Sequence, residues 1–378
     1  MITLEDKSNC SGCSACASIC PQKCIDMVQD SEGFFYPSVN AEKCVNCGLC
    51  TNVCPFINAH GESESVMSFA AKSKSKDVRL SSSSGGVFTH FAESVINNGG
   101  IVAGVEMSAD MTCAKYALID DLENIARLRG SKYIQAETLS VYSEIKTVLE
   151  AGKQVLFCGT PCHVNALKLF LKKDYENLIC IDFICHGVPS VKLWKIYLQH
   201  IESRFGKTVS VSFRCKKQGW TNYGVNFVNN RGKQRYFPKQ TDPYMQLFLK
   251  NYSLRPSCYE CKAKKTRYSD ITIADFWGIR NVLPDFEEED GASLVIVHTK
   301  KGGDFYESVK SSLVSQTVDT NLALKKNSVY DTSVKKPKER DSFYCDVNNL
   351  SFDKLRKKYV KINLSSEVKR RIRLLLHK

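Results

Sequence analysis

The chain of 378 residues has no long uninterrupted apolar segment. Its longest apolar-rich stretches, such as residues 177–185, fall well short of the ~20 apolar residues that a transmembrane helix needs. Acidic Glu5 and Asp6 stand near its start, where a secretory signal has a basic segment and then an apolar one. We therefore expect neither a secreted nor a membrane-spanning protein, and we expect a cytoplasmic location in which thiols stay reduced.

Several cofactor motifs are also absent from the sequence. It contains no GxGxxG dinucleotide fingerprint, no GxxxxGK[ST] phosphate loop and no CxxxCxxC run of the radical-SAM type. Its composition, with 43% hydrophobic and 25% charged residues, excludes a disordered or fibrous chain. The length predicts a globular protein of two to three domains.

Cysteine and positive charge are in excess, with 18 cysteines and a formal net charge of +13. Half of the cysteines fall within residues 1–57, and eight of these nine form a run that occurs twice, CxxCxxCxxxCP, which is the bacterial ferredoxin pattern. Three thiolates of each run reach one [4Fe–4S] cube, and the fourth crosses to the other cube. The predicted ligands are Cys10, Cys13, Cys16 and Cys54 for one cluster, and Cys20, Cys44, Cys47 and Cys50 for the other.

Paired CxxC motifs also bind zinc, but a zinc site does not require this run in duplicate. The two-cluster interpretation is therefore favoured. Cys24 lies outside both runs and is predicted to be a buried residue without a role in the clusters.

Four later cysteines stand out by context. Cys162 lies where a strand gives way to a helix, Cys185 ends the next predicted strand, and Cys258 and Cys261 form a CxxC pair. Together they supply the four thiolates of a third cluster. A zinc ribbon or four unrelated buried thiols would give the same pattern, so spacing alone leaves these alternatives open.

The rest of the chain alternates strands and helices, which predicts an α/β body with a mixed sheet behind the α+β ferredoxin-like domain. Residues 58–65 are polar and are predicted to be a linker. The strands are predicted at 65–72, 101–107, 154–158, 178–185 and 208–214, and the helices at 87–96, 138–150, 162–173 and 190–205. A hairpin is predicted around 229–232.

The serine-rich turn of Ser83, Ser84, Gly85 and Gly86 precedes one of these helices. Hydroxyls and free N–H groups at a helix start suit a cofactor phosphate, but serine and glycine are also ordinary helix caps. The local sequence favours the cap.

Several segments together resemble the coenzyme F420 hydrogenase/dehydrogenase beta-subunit family. They are Gly85-Gly86, Gly130-Ser131-Lys132-Tyr133, Gly159-Thr160-Pro161-Cys162, Cys185-His186-Gly187-Val188-Pro189-Ser190, Cys258-x2-Cys261 and the stretch 269–278. The resemblance covers roughly residues 66–345, divided here into an N-terminal part, 66–150, and a C-terminal part, 151–345, with the third cluster site. At 272–275 the chain departs slightly from the Gly-Asp form common in the family.

The resemblance implies a flavoprotein that passes electrons between iron–sulfur centres and a diffusible redox substrate. It assigns the third cluster to Cys162, Cys185, Cys258 and Cys261, and it implies FAD contacts from the turn 83–86, Lys132 and Thr160. His186 is a candidate proton relay, with a structural histidine as the equal alternative. The alternative function is a non-catalytic electron-transfer subunit whose catalytic partner is a separate chain.

The excess charge collects in the tail, 346–378, where residues 353–378 hold 10 Lys or Arg against 2 acids. A short amphipathic basic segment, 368–376, suits an acidic partner or an anionic membrane surface, or is simply a solvated helix. Binding to nucleic acid is disfavoured, because the basic residues are not interleaved with aromatics.

Overall fold

Helices and strands alternate along the chain in a computed structural model that describes residues 1–58, 67–138 and 140–360. The helices are α1 (Ala15–Ile19), α2 (Leu49–Asn52), α3 (Pro55–Asn58), α4 (Lys76–Ser81), α5 (Val87–Asn97), α6 (Ile125–Leu128), α7 (Val141–Glu150), α8 (Pro161–Leu171), α9 (Val191–Phe205), α10 (Pro243–Leu249), α11 (Lys300–Val309), α12 (Thr320–Leu324), α13 (Arg340–Asn349) and α14 (Phe352–Tyr359). Within these ranges, no helix has the length and apolar character needed to cross a bilayer.

The strands form three sheets. They are β1 (Ile25–Gln29), β2 (Phe35–Val39), β3 (Met67–Ser73), β4 (Ile101–Met107), β5 (Ala114–Ile119), β6 (Ala136–Glu137), β7 (Val155–Gly159), β8 (Leu178–Phe183), β9 (Thr208–Cys215), β10 (Gly224–Asn229), β11 (Gln234–Pro238), β12 (Ile271–Asp275), β13 (Ser293–Val297) and β14 (Leu313–Val318).

The main sheet has nine strands in the order β14-β3-β13-β12-β8-β7-β4-β5-β6. Its centre, β12-β8-β7-β4, is parallel, while β13, β3 and β14 pair antiparallel on one side and β5 on the other. This confirms the predicted mixed α/β body. Strands β7 and β8 are almost wholly buried, which is typical of parallel strands covered on both faces.

The directions of the strands determine which connecting loops lie at the same edge of the main sheet. Strand β3 is antiparallel to β13, which is antiparallel to β12, so β3 runs the same way as the parallel centre. The carboxyl ends of β3, β4, β7, β8 and β12 therefore lie at one edge of the sheet, which we call the carboxyl edge. In open α/β sheets this edge is where ligands bind.

The ferredoxin-like domain is a hairpin of β1 and β2 with the short helices α1, α2 and α3. Helices α1 and α3 pack against α8 of the body. The turn of the hairpin is tied to the body as well, because the two terminal guanidinium nitrogens of Arg340 donate to the carboxylate of Glu32 at 2.6 Å.

A separate three-stranded antiparallel sheet, β11-β10-β9, packs with α9 and α10 around an aromatic core that includes Trp194, Tyr197 and Phe227. Helix α9 begins at Ser190, whose hydroxyl accepts the N–H of Leu193, and it ends at Gly206 with φ +91°. The predicted hairpin around 229–232 is present as β10 and β11, but it belongs to this sheet and not to the main one.

Element boundaries differ from the sequence predictions by a few residues. Strand β8 ends at Phe183, so Cys185 lies in the following loop, and helix α7 begins at Val141 and not at residue 138. The first part of the tail is packed, since Phe352 and Leu355 of α14 are buried. The amphipathic segment 368–376 and nearly all of the predicted linker lie outside the described residues.

Candidate iron–sulfur and cofactor sites

The structure gathers the first predicted ligand set, Cys10, Cys13, Cys16 and Cys54, which we call site I. The pKa of Cys13 is raised to about 12, by burial first and then by the neighbouring thiolates of Cys54 and Cys10, against the N–H of Ala15, which lowers it. Cys16 has a raised pKa for the same reasons, with burial first and then Cys13, Cys10 and Cys54. The raised pKa values mean that the thiolate forms are unfavourable when no positive charge is near. A cationic iron centre that binds these cysteines as thiolates would supply that charge.

The second set, Cys20, Cys44, Cys47 and Cys50, lines one small cavity and is called site II. It is closer to solvent, because Cys47 is exposed. Burial alone would raise the pKa of Cys20, but N–H groups of Cys24, Gln22 and Lys23 and the Cys24 thiol donate to it and lower its pKa. Hydrogen bonds of this kind also stabilise sulfur ligands of a cluster.

Cys24, predicted to be a buried residue without a role in the clusters, is buried but lies close to the cysteines of site II. Its Sγ lies 3.4 Å from the Sγ of Cys20, and it lines the same cavity as the four ligands of site II. The sequence contained a signal for this contact, since Cys24 follows Cys20 by four residues.

The third set, Cys162, Cys185, Cys258 and Cys261, also converges and is called site III. Burial raises the pKa of Cys162, and Cys261, Cys185 and Cys13 contribute in the same direction. Burial likewise raises the pKa of Cys258 to about 12, with Cys185 and Cys261 next. All eighteen cysteines are free thiols, so no disulfide competes for these positions.

The thiols of these sites are not packed around a single point. In the described ranges, no group of three or more His, Cys, Asp or Glu side chains is arranged to hold one metal ion. The donor sets of all three sites consist of four cysteines each, which is the ligand set of a [4Fe–4S] cube. The residues present therefore fit iron–sulfur clusters.

Sites I and III are neighbours. The charge of Cys13 in site I contributes to the raised pKa of Cys162 in site III. Tyr142 of α7 donates its hydroxyl to the carbonyl oxygen of Cys13 at 3.0 Å, and burial, Cys13 and Cys162 all raise its pKa. Sites I and III therefore adjoin each other within the folded chain.

His163 and Tyr116 lie beside this junction. Tyr116 is bonded to Nδ1 of His163 at 2.9 Å, and its pKa is raised by burial and then by thiols that include Cys162 and Cys13. Burial lowers the pKa of His163 to about 4, so its imidazole is neutral at pH 7.

Most of the predicted flavin contacts in the turn 83–86 are already engaged within the chain. The hydroxyl of Ser83 accepts the N–H of Ser131 at 2.8 Å, and that of Ser84 donates to the carbonyl of Ala292 at 2.7 Å. The N–H of Gly85 donates to the Ser293 hydroxyl at 2.9 Å. The serine hydroxyls thus hold the turn onto β13 and the loop 130–133, and none of them caps α5.

Lys132 and Thr160 lie at the same edge. Nζ of Lys132 donates to the carbonyl oxygens of Arg127 and Arg129, both at 3.0 Å, and burial lowers the pKa of Lys132 to about 7. Thr160 stands before α8 without a side-chain cap, and its hydroxyl lies 3.1 Å from Sγ of Cys162.

Polar groups without partners surround the turn. Within residues 1–58, 67–138 and 140–360, the buried hydroxyl of Ser82 and the buried Nε of Arg214 have no hydrogen-bond partner, while the NH2 group of Arg214 donates to the carbonyl of Ser83. Helices α5 and α8 both begin at the carboxyl edge without a side-chain cap, which leaves N–H groups for an anion. These groups fit a phosphate-bearing cofactor, through backbone amides more than through the serine hydroxyls.

His186 follows Cys185 and is largely enclosed. Its Nε2 is bonded to Oδ1 of Asn251 at 2.7 Å, and its ring packs on Phe248. Burial lowers its pKa, so the ring is neutral at pH 7 and its Nδ1 is the nitrogen left for proton exchange.

Several charged or polar residues around the sites were not predicted from the sequence. Arg255 and Gln135 lie against site I, and Lys264 lies beside site III, where burial lowers its pKa against the opposing effect of three site III thiols. Arg255 and Lys264 flank the Cys258–Cys261 pair in sequence. Their closeness to this cysteine pair in the sequence was the available signal that they lie near the sites.

Comparison with known protein families identifies the architecture. Residues 9–58 match the 4Fe–4S dicluster domain. Residues 68–143 match the N-terminal model, and residues 152–321 the C-terminal model, of the coenzyme F420 hydrogenase/dehydrogenase beta subunit. The chain belongs to this family. Members of the F420 hydrogenase/dehydrogenase beta-subunit family are oxidoreductases, and the function shared with this chain is iron–sulfur electron transfer of the beta-subunit type.

Relatives of this chain occur in Methanocaldococcus jannaschii. A coenzyme F420-dependent sulfite reductase is 20% identical over 319 residues, which cover 81% of this chain and 47% of the relative. An uncharacterized protein is 24% identical over 202 residues, which cover 46% of this chain and 56% of that protein. The chain thus spans about half the length of these curated relatives.

Among solved structures, a chain of the F420-reducing [NiFe] hydrogenase complex from Methanosarcina barkeri, studied by xenon derivatization, is similar. It has 16% sequence identity and a TM-score of 0.49, and the match covers 72% of this chain and 90% of that one.

Proposed function

We propose that this chain is an iron–sulfur flavoprotein oxidoreductase that carries electrons between a partner protein and a small diffusible acceptor, in either direction. Its ferredoxin-like domain would hold [4Fe–4S] clusters at sites I and II, and its body a third at site III with FAD beside it. The observation that carries the proposal is the convergence of three four-cysteine sets, with site II nearest solvent and site I next to site III.

The carboxyl edge supports the location of the flavin. The turn 83–86 lies at the end of β3, because the N–H of Ser73 donates to the carbonyl of Gly85, and Thr160 and the site III residue Cys185 follow β7 and β8. These three strands run in the same direction, so the segments share one edge of the sheet. Cofactors of α/β sheets bind at such edges. FAD, when bound, supplies the conversion between one-electron and two-electron transfer.

The residues of the chain would position and shield these groups. The uncapped starts of α5 and α8 would bind phosphate, Lys132 would offer a hydrogen-bond donor near Cys158, and Nδ1 of His186 would hold the proton that accompanies reduction. Buried aromatic residues such as Tyr116 and Tyr142 exclude water between sites I and III.

The acceptor is proposed only as a class, a small redox molecule such as coenzyme F420 or another hydride carrier. The sulfite reductase among the relatives depends on F420, and the match to it supports this class. We also propose a reducing, cytoplasmic location, which the eighteen free thiols support. The basic tail would contact an acidic partner or a membrane surface.

The test is anaerobic purification with iron, sulfide and flavin counted per chain. We expect about 12 iron atoms and one FAD, because each cube holds four irons. About 8 iron atoms together with zinc would contradict a cluster at site III, and the absence of flavin would contradict the flavoprotein proposal.

A second candidate function is a non-catalytic electron-transfer subunit whose catalytic chain is separate. The observation that favours it is the half-length match to the sulfite reductase, which leaves the rest of that enzyme without a counterpart here. If the loaded chain reduces or oxidises F420 alone, this candidate is wrong. If the loaded chain needs a second subunit while its clusters and flavin are intact, this candidate is right.

A further inference from the structure

The guanidinium of Arg255 is a fully buried charge without a carboxylate partner. Its residue is 0% exposed, and within the described ranges no acidic side chain lies within ion-pair distance of it. Nε donates to the carbonyl of Cys10 at 2.7 Å, and NH2 donates to the carbonyl of Phe35 at 2.9 Å. Buried arginines are normally paired with an acid, so this charge needs a counter-charge of another kind.

Arg255 connects site I with site III. Its side chain contacts the carbonyl of a site I ligand, while its own carbonyl accepts the N–H of the site III ligand Cys258 at 3.0 Å. The guanidinium also lies over the ring of Tyr36 at 4.1 Å, which encloses it further. The groups nearest to this charge are the carbonyl oxygens of Cys10 and Phe35, Oε1 of Gln135 and the ring of Tyr36, and of these the Cys10 carbonyl belongs to the ligand loop of site I.

Gln135 lies between Arg255 and the ligand loop of site I. Its Oε1 accepts from NH1 of Arg255 at 3.3 Å, which orients its amide so that Nε2 faces the ligand loop 10–13. A Cβ placed on Gly12 in that loop would lie 2.4 Å from Nε2 and 2.8 Å from NH1 of Arg255. Nε2 is buried and has no hydrogen-bond partner in the described part of the chain.

We infer that Arg255 and Gln135 raise the reduction potential of the cluster at site I, by placing one buried positive charge and one unpaired N–H donor against its ligand loop. A cube held by four thiolates carries about −2, and reduction adds one more negative charge. Nearby positive charge and N–H donors stabilise the more negative, reduced form. Arg255 thus acts as a positioning residue: it binds no iron itself but favours the reduced state of the cluster at site I.

This inference rests on the proposed cluster at site I, and the experiment separates the two failures. Loaded full-length protein is titrated electrochemically, and each reduction step is followed by electron paramagnetic resonance. The step that belongs to site I is identified by its alteration in Cys16→Ser. If iron and sulfide are missing from site I, the proposed function fails; if they are present, the measured potential decides the inference.

The main variant is Arg255→Gln. We expect the equilibrium for reducing site I to shift at least tenfold against reduction, which is about 59 mV toward lower potential for one electron. Arg255→Lys keeps the charge and should shift the potential less. Site II is the internal reference, because Arg255 makes no hydrogen bond to its cysteines in the described residues.

Arg340→Gln is the matched control. Arg340 is also a buried arginine joining the ferredoxin-like domain to the body, but its charge is neutralised by Glu32. We expect no comparable shift at site I, so an equal shift in Arg340→Gln would assign the effect to a displaced domain and overturn the inference. An unchanged potential in loaded Arg255→Gln would overturn it too.

Gln135→Leu covers the case in which Arg255→Gln does not retain a cluster. This substitution keeps the side-chain size and removes the N–H donor, and it should lower the potential of site I by less than the loss of the charge. If Gln135→Leu holds its cluster at the potential of the unsubstituted protein, the inference is wrong.

Discussion

The buried ion pair between Arg267 and Asp182 allows a quantitative prediction about the scaffold of site III. NH1 of Arg267 lies 2.7 Å from Oδ2 of Asp182, and the two side chains are 1% and 0% exposed. Asp182 lies in β8, three residues before Cys185, and Arg267 lies three residues after Lys264. The pair therefore joins the two segments that deliver site III ligands.

Arg267→Met should destabilise this part of the molecule by about 3–5 kcal/mol, because it leaves the carboxylate of Asp182 buried without a counter-charge. Thr272 still donates its hydroxyl to Asp182, but a hydroxyl does not neutralise the charge. Since 1.4 kcal/mol corresponds to a factor of ten, 3 kcal/mol corresponds to an opening equilibrium constant about 150-fold larger. Hydrogen–deuterium exchange of the peptides that contain β8 and β12 measures this local opening directly.

The matched control is Arg204→Met. Arg204 pairs with Asp353 at 2.8 Å, nearly the same distance, but the side chains are 50% and 43% exposed. Exposed pairs contribute about 0.2–1 kcal/mol, so the exchange of neighbouring peptides should change less than tenfold. The reasoning is refuted if Arg267→Met accelerates the exchange of β8 no more than Arg204→Met accelerates that around α9.

Two further predictions concern the junction of sites I and III. The pKa of His163 is about 4 in the folded chain and about 6.5 when unfolded, so burial of the neutral ring costs no stability above pH 6.5, and about 3 kcal/mol of stability is lost as the pH falls toward 4. The denaturation midpoint should therefore fall less steeply between pH 7 and 4.5 in His163→Asn than in the unsubstituted protein. Equal slopes would contradict this prediction. Gly12→Ala should cost the chain about four iron atoms, because the new Cβ, at φ +71°, would collide with the side chains of Gln135 and Arg255. Gly99→Ala is the control, since Gly99 has φ +73° but no atom lies where its Cβ would be, and this variant should keep its iron. Equal losses of iron in the two variants would refute the steric explanation.

The cysteine sites show which features a sequence predicts well. A cube fixes the spacing of its ligands within a short loop, so sites I and II follow from local runs. Site III needed strand ends and a family resemblance, because its ligands come from three separate segments. In the structure the cysteines of each set lie near one another, and their binding of clusters stays a prediction.

The residues that the sequence did not predict act over long separations. Arg255 contacts Cys10, 245 residues away, and nothing in the local pattern around either residue indicates that contact. The hydroxyls of Ser83 and Ser84 suggested a phosphate turn, but their partners Ser131 and Ala292 are distant in sequence and use those groups internally. The turn residues at 229–232 likewise located the hairpin of β10 and β11, but they did not indicate that it joins a separate sheet.

The position of β3 between β13 and β14 has a consequence for how the chain is made. It is the first strand of the main sheet to be synthesised, yet both of its partners come from residues 293–318. On the ribosome, β3 keeps two open edges for more than 200 residues of synthesis, while the ferredoxin-like domain has all its cysteines by residue 54. Co-translational loading of sites I and II would therefore precede closure of the body, and a chain truncated before β13 would expose β3 to aggregation.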